Sequence, residues 1–239
     1  GQRVLVHGPE SIPGVIGRKA IQTFGGRDFS HAPSLSDLWI DIGATSKEEA
    51  ERAAPIGSSV TISGDFTPLM NQRAMARAFD NKAGLFIGAE VLRVLCEEGG
   101  LDPGVGLYAL GTVQEEIGSR GATTAAHAIA PTMAIVVDMG VATDYPRAEP
   151  RQQGLLRLGA GPAIALGPNT NKVVGKLLIQ AAEQENINYQ LQAVGTSSPT
   201  DARVLQTSRA GVATGLLSVP LRYMHTPAEV LCLDDLEAT

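Results

Sequence analysis

Four acidic residues and one histidine are placed where they could perform chemistry together. Asp80 stands just before the first long predicted helix, and the adjacent pair Glu115 and Glu116 follows a predicted strand. Asp138 and His225 each follow a further predicted strand. In open α/β sheets ligands bind beyond the carboxyl ends of the strands, so we expect these side chains to meet at one rim. Carboxylates joined by one imidazole are typical ligands of a divalent metal ion.

The adjacent residues Glu115 and Glu116 could have two different roles in a metal site. In an extended backbone successive side chains point to opposite sides, so one carboxylate can bind metal while its neighbour faces a water. Two metals about 3.5–4 Å apart, bridged by a carboxylate such as Asp80, would lower the pKa of a shared water and polarise a carbonyl. Glu115 could then accept the proton of the water and pass it to a leaving amine. The pattern is compatible with a two-metal hydrolytic site.

Each of these residues also has a purely structural interpretation. The Glu-Glu pair is a weak signal, because two other such pairs occur on predicted solvent-facing helix surfaces. Asp80 and Asp138 are suited to capping helix starts, and His225 to a hydrogen-bonded turn. Spacing alone therefore leaves both the metal site and the structural roles open.

Composition and charge exclude several classes of protein. The 239 residues include 19 Lys and Arg against 25 Asp and Glu, a net charge of −6. Nucleic-acid coats and surfaces held to anionic lipid need clustered positive charge, so neither partner is expected. The longest uncharged run, 121–137, contains His127 and Pro131 and is not a membrane span. Cys96 and Cys232 lie in apolar settings, which indicates a reducing compartment, and we expect a cytoplasmic protein.

The element pattern predicts an α/β protein with two domains. Residues 1–72 contain short β-branched runs punctuated by Gly and Pro, one helix that starts with a capping box at 46–49, and a loop at 24–36. Residues 73–239 alternate between helix and strand patterns, which is typical of a mostly parallel sheet with helices on both faces. The elements predicted there are helix 81–98, strand 105–112, helix 119–129, strand 133–137, strand 162–166, helix 172–186, strand 189–194, helix 200–209 and strand 212–219.

Four blocks of the sequence resemble the tetrahedral aminopeptidases. These are co-catalytic metallopeptidases related to the glutamyl and deblocking aminopeptidases, and some carry the name endoglucanase. The blocks are FDNKAG at 79–84, TVQEEIG at 112–118, VD at 137–138 and RYMHTP at 222–227. Their order matches the family, supporting segments match as well, and the resemblance covers essentially the whole chain.

The resemblance implies a role for each candidate residue. Asp80 would bridge two divalent metal ions, Glu116 and His225 would complete one of them, and Asp138 would hold the other. Glu115 would be the general base. We expect zinc, with cobalt or manganese as alternatives, because mixed oxygen and nitrogen ligands accept all three. Asn81 stands where many relatives have a second Asp, which leaves the bridging ligand unchanged.

The resemblance also concerns assembly. It implies that residues 1–72 form a small PDZ-like β-barrel, which in the family builds dimers that assemble into hollow tetrahedral dodecamers. We therefore expect peptide substrates and a homo-oligomer. A domain with so few large apolar side chains is marginal by itself, and association is a common remedy.

One departure from the family concerns the first metal ligand. The family has a His-x-Asp block upstream of the small domain, whose His binds the same metal as Asp138. None of the four histidines in this chain is followed by x-Asp. We therefore expect the native polypeptide to extend upstream of Gly1 and to supply this block. Two hypotheses follow, an aminopeptidase with a complete site and a non-catalytic peptide-binding or scaffold homologue with an incomplete one.

Overall fold

The computed structural model describes residues 1–19 and 34–239 and divides the chain into two compact units. The first unit is Gly1–Asp65 and the second is Phe66–Thr239. The sequence pattern had placed the end of the first domain at residue 72. Most of the loop predicted at 24–36 lies outside the described residues, and its described end enters a short 3₁₀ helix, Leu35–Asp37.

The first unit contains a four-stranded antiparallel sheet with the spatial order β3-β2-β1-β4. Its elements in chain order are β1 (Arg3–His7), β2 (Ser11–Arg18), β3 (Leu38–Asp41), α1 (Lys47–Ala53) and β4 (Ser59–Ile62). Val4 and Val6 alternate along β1 and are buried, as expected for a strand with one covered face. The predicted helix start is confirmed, because the Ser46 hydroxyl accepts the Glu49 N–H.

The PDZ-like barrel expected for this unit is not observed in its described residues. A barrel closes only when its outermost strands pair with each other. Here β3 and β4 are the two outer strands, and each pairs on one side only within the described part of the sheet. Both have only four residues. The described strands therefore form an open sheet.

The second unit contains two sheets, with the spatial orders β7-β10-β8-β9 and β11-β6-β5. Its elements in chain order are β5 (Thr67–Pro68), β6 (Arg73–Ala76), α2 (Phe79–Glu97), α3 (Arg120–Ile129), β7 (Met133–Val141), α4 (Pro150–Gln153), β8 (Ala163–Leu166), α5 (Lys172–Gln184), β9 (Gln190–Ala193), α6 (Ala202–Leu205), β10 (Ala213–Leu221), β11 (Glu229–Cys232) and α7 (Leu233–Glu237).

Two of the three strand pairs in the larger sheet are parallel, in agreement with the mostly parallel sheet that was predicted. β10 runs parallel to β7, and β8 runs parallel to β9, but β10 and β8 are antiparallel. The antiparallel pair was not predicted, because an apolar run has the same pattern in either strand direction. The described connection between β7 and β8 contains one helix, α4, of four residues. It is not the long helical crossover that usually joins two parallel strands.

Helices cover both faces of the larger sheet, as predicted. Ala83 and Ile87 of α2 pack in one cluster with Val219 of β10. Ala202 of α6 packs in another cluster with Leu216 of the same strand. Because side chains alternate along a strand, Leu216 and Val219 face opposite sides of the sheet. Among the described helices, none is long and apolar enough to cross a membrane.

The smaller sheet brings two distant parts of the chain together. β11 pairs antiparallel with β6, so that Glu229 lies opposite Ala76. A further bridge joins Val230 to Arg222, just beyond the end of β10. The residues that precede α2 and those that follow β10 are therefore held side by side.

Two predicted elements differ from the structure. No strand forms at 105–112, where Val105, Leu107 and Leu110 are exposed and no described strand pairs with the segment. The helix predicted at 200–209 shortens to α6, Ala202–Leu205. The apolar pattern of 105–112 is that of a strand, but a strand also needs a hydrogen-bonding neighbour, which the pattern does not supply.

A buried carboxylate attaches α7 to the loop before β8. Asp235 is 1% exposed, and its two oxygens accept the N–H groups of Gly159 and Gly161, each at 2.7 Å. Both glycines have positive φ angles, a conformation that a side chain disfavours. Asp235 therefore satisfies two donors in a loop whose shape depends on glycine.

We predict that Asp235→Asn lowers the free energy of unfolding by about 1–3 kcal/mol, because the amide NH₂ group would face one of the two N–H donors. Urea unfolding followed by circular dichroism measures the change. The matched control is Asp234→Asn at the exposed neighbouring position, which should change stability by less than about 0.5 kcal/mol. Equal stability of the two variants would contradict the prediction.

Candidate metal centre

The structure brings three of the predicted site residues together. The Nε2 atom of His225 lies 3.0 Å from Oδ2 of Asp80 and 3.5 Å from Oε2 of Glu116. The three donor atoms all lie within 4.8 Å of one another, close enough to share one ion. Two carboxylates and one imidazole suit a divalent cation such as zinc. Their role as metal ligands stays a prediction.

The backbone around these residues is irregular. Asp80 and its neighbour Asn81 have non-helical φ and ψ angles at the start of α2. Gln114, just before Glu115, and His225 have φ angles of 60° and 61°. Left-handed backbone at residues other than glycine is uncommon and costs free energy, and it concentrates at functional sites. The local conformation therefore supports a functional interpretation of this cluster.

Asp138 lies deeper than the other three. The sequence placed it just after a strand, but β7 continues to Val141, so Asp138 lies inside the strand. Its Oδ1 atom accepts the N–H of Met139 at 2.8 Å and the side-chain amide of Asn81 at 3.0 Å. Burial raises the pKa of Asp138 to about 7, and the negative charge of Asp80 adds to the effect.

Asn81 was given no role by the sequence, and the structure shows one. Its Oδ1 atom accepts the Gly84 N–H at 2.8 Å, which orients the amide. Its Nδ2 atom then donates to Asp138 and to the carbonyl oxygen of Val137, each at 3.0 Å. A carboxylate could accept from Gly84 but could not donate to Asp138. Asn81 therefore positions Asp138 through its donor group.

Glu115, the predicted general base, is partly buried beside the cluster. Burial raises its pKa, and the nearby negative charges of Asp201, Glu116 and Asp80 raise it further. A carboxyl group with raised pKa holds a proton more readily near neutral pH, which favours a role as proton acceptor and donor.

Asp201 is a carboxylate to which the sequence analysis assigned no function. It is 7% exposed, and its Oδ2 atom accepts the Thr112 hydroxyl at 2.5 Å. Its Oδ1 atom is buried without a hydrogen-bond partner among the described residues. An unpaired buried carboxylate oxygen is costly unless a positive charge offsets it. The negative charge of Asp201 raises the pKa of both Glu115 and Asp138, so the three carboxylates lie near one another. A group of carboxylates of this kind is suited to binding a cation.

Glu229 was also missed. It is 2% exposed, and its carboxylate accepts the backbone N–H groups of Asp80 and His225. The available signal was an acid at the head of an otherwise apolar run, four residues after His225. An acidic side chain is rarely buried in a strand unless other groups form hydrogen bonds or ion pairs with it.

The free energy of unfolding of the metal-free protein should fall as the pH rises from about 4 to about 7. A carboxyl group whose pKa is higher in the folded than in the unfolded state binds its proton more tightly when folded, so losing that proton costs stability. The pKa of Asp138 is raised to about 7, and those of Asp80 and Glu115 shift in the same direction. Urea unfolding in the presence of a chelator at about pH 5 and about pH 7.5 checks this.

The variant Asp138→Asn should reduce that pH dependence, because it removes the carboxyl group whose pKa is raised to about 7. The exposed Asp102→Asn serves as its control and should leave the dependence unchanged. Stability that is constant or rises over the same pH range in the parent protein would contradict the assignment.

Several known aminopeptidases are similar to this chain in sequence or in fold. The lysyl aminopeptidase of Pyrococcus furiosus is 34% identical over 203 residues, which cover 84% of this chain and 56% of that protein. The TET aminopeptidase of the marine sediment archaeon Thaumarchaeota archaeon SCGC AB-539-E09 is 32% identical, with a TM-score of 0.90 over 100% of this chain and 67% of that one. The Pyrococcus horikoshii TET1 peptidase is 29% identical, with a TM-score of 0.80 over 99% of this chain and 68% of that one.

The chain spans 56% and 59% of the length of two curated relatives that it matches. The sequence profile for M42 glutamyl aminopeptidase matches residues 1–239. The resemblance noted from the four sequence blocks is thereby confirmed, and the chain belongs to the M42 glutamyl aminopeptidase family.

Proposed function

We propose that this chain acts as part of a metal-dependent aminopeptidase that removes N-terminal residues from peptides. The observation that carries the proposal is the meeting of Asp80, Glu116 and His225 within 4.8 Å, beside the partly buried Glu115. Membership of the M42 family supports peptide hydrolysis.

Two divalent cations are part of the proposal, with zinc expected and cobalt or manganese as alternatives. Asp80, Glu116 and His225 would hold one cation, and Asp138 would hold the other, with Asp80 shared between them. Two such ions polarise a carbonyl group and lower the pKa of a water molecule. The buried, unpaired oxygen of Asp201 supports a local need for positive charge.

The residues of the chain would move the proton. Glu115 accepts a proton from the attacking water and donates it to the amine that leaves. A carboxylate accepts a proton when ionised and donates it once protonated, so this one group can perform both steps. Asn81 and Glu229 would not react, but their hydrogen bonds orient Asp138, Asp80 and His225.

We also propose a cytoplasmic homo-oligomer in which residues 1–72, as a PDZ-like unit, supply a dimer contact and dimers form a dodecamer. The TET1 peptidase of Pyrococcus horikoshii can assemble into a tetrahedron or a large octahedral shell. In the first unit, Val15 and Trp39 are exposed on one face of the sheet, since Trp39 pairs with Gly17 and residues two apart share a face. Exposed large apolar side chains of this kind are suited to an interface.

We predict that Glu115→Gln lowers the hydrolysis of aminoacyl anilides by about 10²–10⁴-fold, because an amide cannot accept the proton of the water. Metal content should stay unchanged, since Glu115 is not placed among the ligands. The experiment uses the full-length protein, with Glu98→Gln at an exposed helix end as the matched control.

Two outcomes would count against this proposal in different ways. Wild-type turnover by Glu115→Gln at unchanged metal content would remove Glu115 as the base. A wild-type protein that binds peptides but neither binds metal nor hydrolyses the anilides would favour the scaffold hypothesis.

For the assembly, we expect light scattering of the full-length protein at micromolar concentration to report a species much larger than a monomer. Trp39→Lys should reduce the particle mass, because a charge would replace an exposed apolar side chain on the proposed contact face. Leu35→Lys, which is even more exposed but lies on the 3₁₀ helix, is the control and should not reduce it. A wild-type monomer would contradict the proposed assembly.

A further inference from the structure

Glu229 is a buried carboxylate that contacts two of the proposed metal ligands through their backbone. Its Oε1 atom accepts the His225 N–H at 2.9 Å, and its Oε2 atom accepts the Asp80 N–H at 3.2 Å. With each oxygen engaged by a separate donor, the carboxylate spans the gap between two segments that are distant in sequence.

The carboxylate is attached to a well-anchored element. β11 begins at Glu229 and pairs with β6, which leads towards Asp80. Two backbone hydrogen bonds between Val230 and Arg222, of 2.9 and 3.1 Å, connect it to the chain just before the His225 turn. β11 is therefore hydrogen-bonded to the two segments that lead to the partners of the carboxylate, β6 before Asp80 and Arg222 before His225.

One of the two backbone positions is strained. His225 has a φ angle of 61°, in the left-handed region that residues other than glycine rarely adopt. Such a conformation persists only where surrounding contacts impose it. Glu229 accepts one backbone hydrogen bond from His225 and one from Asp80, and so ties both positions to the same side chain.

We propose that Glu229 is a positioning residue that sets the separation of Asp80 and His225 and thereby the affinity of this site for its cation. The inference rests on the proposed function, because it takes Asp80, Glu116 and His225 as ligands. Glu229 is not one of the three residues whose donor atoms meet within 4.8 Å, but it accepts the backbone N–H groups of two of them, so it acts through the ligands. Groups that orient metal ligands in this way typically change metal affinity about 10–100-fold when they are altered.

The test is Glu229→Gln in the full-length protein. The side chain keeps its size, but its NH₂ group would face one of the two N–H donors, so that one ligand loses its support. Competition with a chelator should show metal affinity reduced about 10–100-fold. The visible absorption spectrum of the cobalt-loaded protein should change as well, because it reports the geometry of the ligands.

The matched control is Asp235→Asn. Asp235 is also a buried carboxylate that accepts two backbone N–H groups, but from glycines in the loop before β8. The control should lose stability while keeping the metal affinity and the cobalt spectrum of the parent. Glu229→Asp keeps the charge and should retain more affinity than Glu229→Gln, and it replaces that variant if Glu229→Gln does not fold.

The outcomes separate this inference from the proposed function. Parental metal affinity and spectrum in Glu229→Gln, or in Glu229→Asp if only that variant folds, would overturn the positioning role and leave the proposed function standing. Equal losses of affinity in Glu229→Gln and Asp235→Asn would also overturn it, because the effect would then follow stability alone. A parent protein that binds no metal would overturn both.

Discussion

Repulsion between carboxylates that share a partly buried space is the constraint on which the candidate site depends. Burial raises the pKa values of Asp80, Glu115 and Asp138, and the negative charge of neighbouring carboxylates raises them further. Like charges in a medium of low polarity separate unless other groups hold them. In the described part of the chain, the Asn81 amide and the N–H of Met139 hold Asp138, and the His225 imidazole lies beside Asp80. The arrangement leaves the negative charge available to a cation.

Much of the second unit could be predicted from its pattern. The long helices at 79–97 and 172–184 and the apolar strand at 213–221 carry strong periodicity, and they lie within a few residues of their predicted positions. The convergence of Asp80, Glu116 and His225 was also predicted, but the strand expected before Glu116 does not form, so placement at strand ends explains only part of it. The direction of each strand could not be predicted in the same way. Strand direction depends on which strands pair within the sheet, and a single apolar run has the same residue pattern in either direction.

The supporting groups of the site were harder to predict than the groups they support. Asn81, Asp201 and Glu229 form hydrogen bonds to Asp138, Thr112 and Asp80, which are far away in the sequence, so sequence spacing does not predict these contacts. Glu229 in particular is one acid in a buried strand, and only the tertiary structure shows which N–H groups it accepts. Residues that donate to or accept from other functional residues are in general visible only once the fold is known.

The smaller sheet has a consequence for the order of events during protein synthesis. β6 lies near the beginning of the second unit and β11 near its end, and their pairing brings Asp80 beside His225. A ribosome releases the chain from its amino end, so Asp80 and Glu116 are exposed to the cell for as long as the remaining residues take to appear. The imidazole that joins them arrives only after β10 has been made. The three-residue site is therefore assembled only after nearly all of the second unit has been translated. A cation can be held by all three residues only in a chain in which β6 and β11 have already paired.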